Sequence, residues 1–357
     1  MTNKSAILGY GATGRSFERF LISKNTEFVL YDEFFDEGAK SEISGMPFIN
    51  FNSLQKYNSF FVSPGFSKSK LDQLGVLEKK IITDIDIFSE LNNSFKIAIT
   101  GTNGKSSLTH YLTQILNHTA SAISLGNFGN PLPDYINHQA KYSVIELSSF
   151  QLEKMTINNF DISVITNISR DHIDYHGTFE NYKLSKLNIL NSRAETFFYD
   201  NYGSLKDFAF KIAGKIEGNI NQDLLLEDLP FRLQQIGKNI YNDSKSTNSA
   251  SLLYAIKELD FSGKLIMCGN PLKEDYRDFP IHGPSQILIF GTHKNDIKKR
   301  IIHPDIKTFD TFDDLISSLT KEDRILFSPG NPSGKDFNNF IERGAYFSKK
   351  IGEYFGS

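Results

Sequence analysis

Ile97-Ala98-Ile99-Thr100 runs directly into Gly101-Thr102-Asn103-Gly104-Lys105-Ser106-Ser107, and an amphipathic stretch to Leu116 follows. The order is strand, glycine loop, helix. Glycines let backbone N–H groups converge on phosphate oxygens, and the start of the helix adds partial positive charge. Lys105 is placed to reach the β- and γ-phosphates and the Ser106 hydroxyl to meet Mg²⁺. The usual loop carries a glycine five residues before its second one. Ile99 stands there, so TGTNGKS is a variant of the motif. A glycine turn that binds nothing would not need a strand before it and a helix after it.

Working outward from this loop, the same alternation recurs on both sides. Towards the N-terminus, Ala6 to Leu8 reads as a strand. Gly9-Tyr10-Gly11-Ala12-Thr13-Gly14 and a helical run to Ser23 come next, then a second strand from Glu27 to Tyr31 that ends at Asp32. Ser59 to Val62 is strand-like, Ser63-Pro64-Gly65 is a turn, and Leu91 to Ser94 reads as a linker. Towards the C-terminus, Tyr142 to Ile145 and Ile162 to Thr166 are strand-like, and the stretch from Asn191 to Asp228 has no clear period. From Phe231 onward, Lys264 to Met267, Gln286 to Phe290 and Arg324 to Phe327 are strands between helical patterns. A long amphipathic helix is expected over 336–354. Strands alternating with helices predict an α/β protein of three domains, each a doubly wound, mostly parallel sheet. They are 1–92 (Rossmann-like), 93–230 (P-loop ATPase-like) and 231–357 (Rossmann-like).

Composition narrows the function. The 357 residues suffice for two or three domains. At 39% hydrophobic and 23% charged, the chain is an ordinary globular protein. A net charge of −3 gives no global attraction to nucleic acid or to an anionic membrane, so anionic small molecules need local positive sites. A single cysteine, Cys268, rules out an internal disulfide framework. The apolar stretch near the N-terminus ends at Gly9, too short for a signal-peptide core, and no run is long enough for a membrane helix. The expectation is a cytoplasmic protein without nucleic-acid or membrane partners, working as a monomer.

Three further segments carry chemistry. Glu146, in Glu146-Leu147-Ser148-Ser149-Phe150-Gln151-Leu152, sits at a strand's C-terminal end, where doubly wound folds place ligands, and its carboxylate suits Mg²⁺. Asn167-Ile168-Ser169-Arg170-Asp171-His172 also follows a strand. A lone His172 reads equally well as a packed histidine or a metal or substrate contact. Thr178 reads as a helix N-cap. Lys183 and Lys186 share one face of that helix, and composition favours a solvated basic face.

Five motifs in order resemble the Mur ligases: the TGTNGKSS loop, ELSSFQL (146–152), NISRDHIDYH (167–176), NDSKSTN (242–248) and Ser328-Pro329. ELSSFQL and NDSKSTN resemble the D-glutamate-adding branch. The resemblance implies an ATP-dependent ligase of peptidoglycan synthesis joining D-glutamate to UDP-N-acetylmuramoyl-L-alanine through an acyl phosphate. Gly101 to Ser107 and Lys105 would hold ATP, with Arg232, Asp243 and Lys245 from the third block. Ser106, Glu146, His172 and Lys186 would serve two Mg²⁺ ions, Lys186 as a carbamate, which overturns the bland reading of that lysine but not of Lys183. The catalytic set is Lys105, His172 and Lys186. Thr13, Asp32, Ser63 and Gly65 would lie along the UDP moiety, with Asn127 and Ser148 on the acceptor. Thr247 would be a substrate contact, Lys273 would reach the D-glutamate carboxylate, and Ser333 and Phe340 would lie around that amino acid.

The chain departs from the pattern in three places. No G-x-H-N segment for adenine occurs between Asn191 and Arg232. Gln234 replaces a glutamate. Gly330 to Gly334 replaces more apolar residues. Three other functions remain open on sequence: a different ligase of the superfamily, such as a folylpolyglutamate synthase; a dinucleotide oxidoreductase, from Gly9 to Gly14 with Asp32; and a binding protein without catalysis.

Overall fold

The computed structural model describes residues 4–75, 80–127, 129–199, 203–271 and 277–356. The chain forms two compact units, Met1–Glu227 and Asp228–Ser357. The first contains two sheets, so the sheets expected for the first two blocks both lie in it.

The N-terminal sheet uses β1 (Ser5–Leu8), β2 (Phe28–Tyr31), β3 (Ser59–Val62) and β4 (Lys80–Ile82), all parallel, in the order β2-β1-β3-β4. Helices α1 (Ala12–Ser23), α2 (Lys68–Gln73) and α3 (Asp84–Leu91) accompany it. Alternate residues of its strands enter two cores. Ala6, Leu8, Phe60 and Val62 pack on one side, and Ile7, Leu30 and Phe61 on the other. A sheet buried on both faces reads as a continuous apolar run, as Ala6 to Leu8 does.

The second sheet comprises β5 (Phe95–Thr100), β6 (Ala122–Gly126), β7 (Tyr142–Glu146), β8 (Ile162–Ile165) and β9 (Glu195–Phe198). All strands are parallel, in the order β6-β7-β5-β8-β9. Its helices are α4 (Lys105–Asn117), α5 (Ser149–Lys154), α6 (Ile173–His176), α7 (Phe179–Leu187) and α8 (Leu205–Glu217). Ile97, Ile99, Val144 and Val164 face α4 and α8; Ala98, Leu125, Ile145 and Ile165 face the opposite core. The chain moves from β5 outward to β6 and β7, then crosses to β8. Strand order therefore reverses at β5, and the loops after β5, β7 and β8 meet at a topological switch point.

The two sheets of this unit are tied by polar contacts. Asp86 Oδ1 accepts from Thr156 N at 2.8 Å and Ile157 N at 2.7 Å. Arg19 donates two bonds to the Asp134 carboxylate, at 2.8 and 2.6 Å.

The second unit holds β10 (Gln234–Gly237), β11 (Ile240–Asn242), α9 (Ser249–Glu258), β12 (Lys264–Met267), β13 (Phe279–Pro280), β14 (Gln286–Phe290) and α10 (Lys294–Lys298). There follow β15 (Ile301–Ile302), β16 (Ile306–Phe309), α11 (Phe312–Ile316), β17 (Ile325–Phe327) and α12 (Phe340–Phe355). The main sheet runs β10-β11-β17-β12-β14-β16, antiparallel only at β10, while β13 pairs with β15. The last helix starts four residues later than expected. Asn339 caps it, accepting from Ile341 N and Glu342 N, whereas Asp336 accepts from Thr292 N and Oγ1 instead. Among the described residues, no helix is long and apolar enough to cross a membrane.

Candidate active site

The loop between β5 and α4 is braced by the segment after β8. Thr102 N donates to Asn167 O at 2.8 Å, Asn103 N to Asn167 Oδ1 at 3.1 Å, and Thr166 Oγ1 to Asn103 O at 2.6 Å. Thr102 Oγ1 also donates to Ser169 O. Gly101 has φ +150°, and a Cβ there would stand 1.9 Å from Thr166 Oγ1, so the close approach of the two segments excludes a side chain.

Two lysines converge on this loop. Lys105 Nζ donates to Gly101 O at 2.8 Å and Thr102 O at 2.9 Å. Lys186, on α7, donates to the same Gly101 oxygen at 2.8 Å. Lys186 is 2% exposed, lies over the Tyr182 ring and has its pKa pushed down to about 6, first by burial and then by the Lys105 charge.

Glu146 ends β7, and its register pairs it with Ile99. It is buried; Oε1 accepts from Asn127 Nδ2 at 2.7 Å, while Oε2 has no hydrogen-bond partner. A buried carboxylate oxygen without a donor is costly unless a cation or ligand satisfies it, and it fits the hard oxygen chemistry of Mg²⁺. Among the described residues no group of three or more His, Cys, Asp or Glu could hold a metal. An ion here would draw on Glu146, Ser106 at the start of α4, and phosphate and water oxygens, as Mg²⁺ commonly does.

His172 caps α6 with φ +51°. Its ring packs against Phe150, and desolvation holds its pKa below the ordinary histidine value. Ser148 is the N-cap of α5. Its Oγ accepts from Gln151 N and its backbone N donates to Gln151 Oε1, so the S-S-F-Q part of the ELSSFQL motif is a capping box.

A cavity of about 450 Å³ opens at the ends of β1, β2 and β3, a size typical of small-molecule sites. Thr13, Asp32, Ser63, Gly65 and Asn127 all line it. Asp32 is fixed by backbone, accepting from Tyr10 N at 2.6 Å and Phe34 N at 2.9 Å, and Ser63 Oγ donates to Gly9 O. Asn127 thus borders the cavity and holds Glu146, linking it to the phosphate-loop cluster.

Sequence reasoning missed two residues of this cluster. Buried Lys154 donates to Pro64 O and Tyr175 Oη, both at 2.7 Å, and burial lowers its pKa to about 8. Buried His176 contacts Ser149 Oγ at 3.0 Å. Both lie inside or beside quoted motifs, but only tertiary packing makes them central.

In the second unit, Asp243 is fully buried at the end of β11. It accepts from Arg232 Nη1 at 3.3 Å, Leu233 N at 3.2 Å and Ser328 Oγ at 2.8 Å, and burial raises its pKa. Phe231 and Leu233, flanking Arg232, both have positive φ. Gln234 Oε1 accepts from Phe231 N. Lys245 Nζ lies 4.2 Å from the Phe340 ring centroid. Thr247 and Ser333 are half-buried on loops at the same edge of the sheet. Lys273 lies outside the described residues.

Residues 99–202 match the family described as Mur ligase middle domain. The chain is 28% identical over 416 aligned positions to UDP-N-acetylmuramoylalanine–D-glutamate ligase of Francisella philomiragia, covering 98% of this chain and 97% of that protein. The alignment is longer than the chain, so the relative has segments without counterpart here. The enzyme of the same name from Francisella tularensis is 35% identical over 211 residues, 57% of this chain and 48% of that one. Among solved structures, a pseudomurein peptide ligase type C from Methanothermus fervidus superposes with TM-score 0.52 at 15% identity, over 98% and 99% of the two chains. The MurF ligase of Thermotoga maritima in complex with ADP gives 0.54 at 12%, over 98% and 95%. The fold is that of the Mur ligases.

Proposed function

From the match of residues 99–202 to the Mur ligase middle domain, we propose that the chain is an ATP-dependent ligase adding D-glutamate to UDP-N-acetylmuramoyl-L-alanine. The observation that carries this reading is a convergence. Lys105, Lys186, Thr166 and Asn167, from segments that resemble the Mur ligases, gather at the Gly101 loop, and Asn127 holds Glu146 and borders the cavity suited to the UDP-linked acceptor.

The acceptor carboxylate attacks the γ-phosphorus of ATP, giving an acyl phosphate and ADP. The free amine of D-glutamate then attacks the carbonyl carbon, and inorganic phosphate leaves from the tetrahedral intermediate. The protein's part is positioning and charge neutralisation. Amides of the Gly101–Gly104 loop and the Lys105 ammonium hold the phosphates. Glu146, oriented by Asn127, and the Ser106 hydroxyl would hold Mg²⁺, which supplies further positive charge to the phosphoryl oxygens when bound. Arg232, Asp243 and Lys245 serve nucleotide and substrate; Thr247, Lys273, Ser333 and Phe340 serve the amino acid.

Lys186 works as a carbamate, formed by its neutral amine attacking CO₂ with release of one proton. An ammonium has donors and no acceptor, so it cannot ligate a cation, whereas a carbamate offers two oxygens. A buried amine with pKa near 6 is largely neutral at physiological pH, which supports this role. His172, its pKa lowered, offers a neutral imidazole beside it.

The acyl-phosphate step is tested with acceptor carrying heavy oxygen in its carboxylate. One labelled oxygen should appear in each phosphate released; unlabelled phosphate would exclude the intermediate.

A further inference from the structure

Arg343 is the largest fully buried side chain among the described residues. No carboxylate pairs with it there. Its guanidinium is held by neutral groups: Nε donates to Ser244 Oγ at 3.1 Å, Nη1 to Asn331 O at 2.9 Å and Nη2 to Ser244 O at 2.7 Å. Burial lowers its pKa, yet an arginine remains charged. The Asp243 carboxylate acts on it only from beyond ion-pairing distance, so burying this cation is costly. Packing alone does not account for its presence, since an apolar side chain would fill the same volume.

What the fork touches explains it. Ser244 lies on the loop after β11, and Asn331 on the loop after β17. Gly269, on the loop after β12, packs so closely that a Cβ there would stand 3.0 Å from Nη1. Strands β11, β17 and β12 are adjacent and parallel, so these three loops leave the same edge of the sheet, where doubly wound folds bind ligands. The loops are also bonded to each other: Asn270 N donates to Pro332 O at 2.8 Å, and Asn331 Nδ2 to Cys268 O at 3.4 Å. Ser244 Oγ, which receives Arg343 Nε, itself donates to Phe340 O at 2.8 Å.

We infer that Arg343 is a positioning residue for the amino-acid pocket: its three-pronged fork fixes the loops that carry Lys245 and Ser333, and the start of α12 at Phe340. The inference rests on the ligase reading above. Arg232 and Arg343 both act on Asp243, two cations to one buried carboxylate, so the edge suits an amino acid bearing a second carboxylate. A lysine keeps the charge but offers one nitrogen in place of a planar fork, so it should not substitute.

The test measures KM for D-glutamate, ATP and UDP-acceptor separately in the full-length wild type, Arg343→Lys, Arg343→Gln and Ser244→Ala. Both arginine variants should raise KM for D-glutamate at least about tenfold and leave the other two within about twofold. Ser244→Ala, which removes one acceptor, should shift the same constant less. Unchanged D-glutamate KM, or three constants moving together, overturns the inference. Should the arginine variants fail to fold, Ser244→Ala decides: a rise confined to D-glutamate supports the proposal and no change contradicts it. A wild type that uses no D-glutamate defeats the ligase reading itself, a result distinct from either.

Discussion

Lys105 and Lys186 donate to the same carbonyl oxygen, that of Gly101, each at 2.8 Å. Burial first, and then repulsion by the neighbouring amine, lowers the pKa of Lys186 to about 6. Lys186 is thereby the amine available in its neutral form. If Lys186 is a carbamate in the working enzyme, Lys186→Ala should be nearly inactive, and short-chain carboxylates should restore part of the activity by occupying the vacated oxygen positions. Full turnover by the unrescued variant would end this account.

In the proposed reaction Lys105 supplies a point charge to the transferring phosphoryl group. Lys105→Ala should abolish ligation while shifting the melting temperature by no more than a few degrees, because its amine bonds carbonyls of its own loop, Gly101 O and Thr102 O. Turnover near that of the wild type would show that the loop does not hold ATP.

The ligand that fills the cavity lined by Thr13, Asp32, Ser63, Gly65 and Asn127 distinguishes the UDP-acceptor reading from the dinucleotide reading. UDP-N-acetylmuramoyl-L-alanine should raise the melting temperature by mass action, and NAD at equal concentration should not. Protection by NAD alone would favour an oxidoreductase.

Asp84 gives a pH-dependent prediction. It is buried; Oδ2 accepts from Gln151 Nε2 at 2.8 Å, Oδ1 has no partner, and burial raises its pKa from 3.8 to about 6. Between those values the folded chain binds the extra proton, so this group's contribution to stability falls as pH rises through the window, and its cost is fully present above it. Asp84→Asn should therefore stabilise the protein by about 1–3 kcal/mol at neutral pH and by much less near the acid end of the window. Denaturant titrations at the two pH values check this; an equal gain at both would show that ionisation is not the cause.

Much of this site was legible because the chemistry sits at strand ends. The TGTNGKS loop, Glu146 and the Asp171-His172 pair each follow an apolar run, and those runs became the adjacent strands β5, β7 and β8. Thr178 caps α7 as its sequence context suggests. Lys186 shows the limit. Its spacing from Lys183 reads as a solvated face, yet Tyr182 and the loop at Gly101 cover it, a fact set by contacts 85 positions apart. Arg343 and His176 were unreadable for the same reason: their partners come from other loops. The stretch after Asn191 hid an edge strand, half-exposed and thus weakly patterned, although the Ser204–Asp207 capping box marks the start of α8. Asp336 looked like a helix start but serves Thr292.

The central claim is tested most directly by phosphate release from ATP with Mg²⁺ and UDP-N-acetylmuramoyl-L-alanine, offering D-glutamate, L-glutamate, D-aspartate, L-lysine and D-alanine in turn. The account predicts release with D-glutamate far above the others, matched one for one by acceptor gaining a glutamyl residue in mass. Release that is equal with and without D-glutamate, or greater with another amino acid, would contradict it.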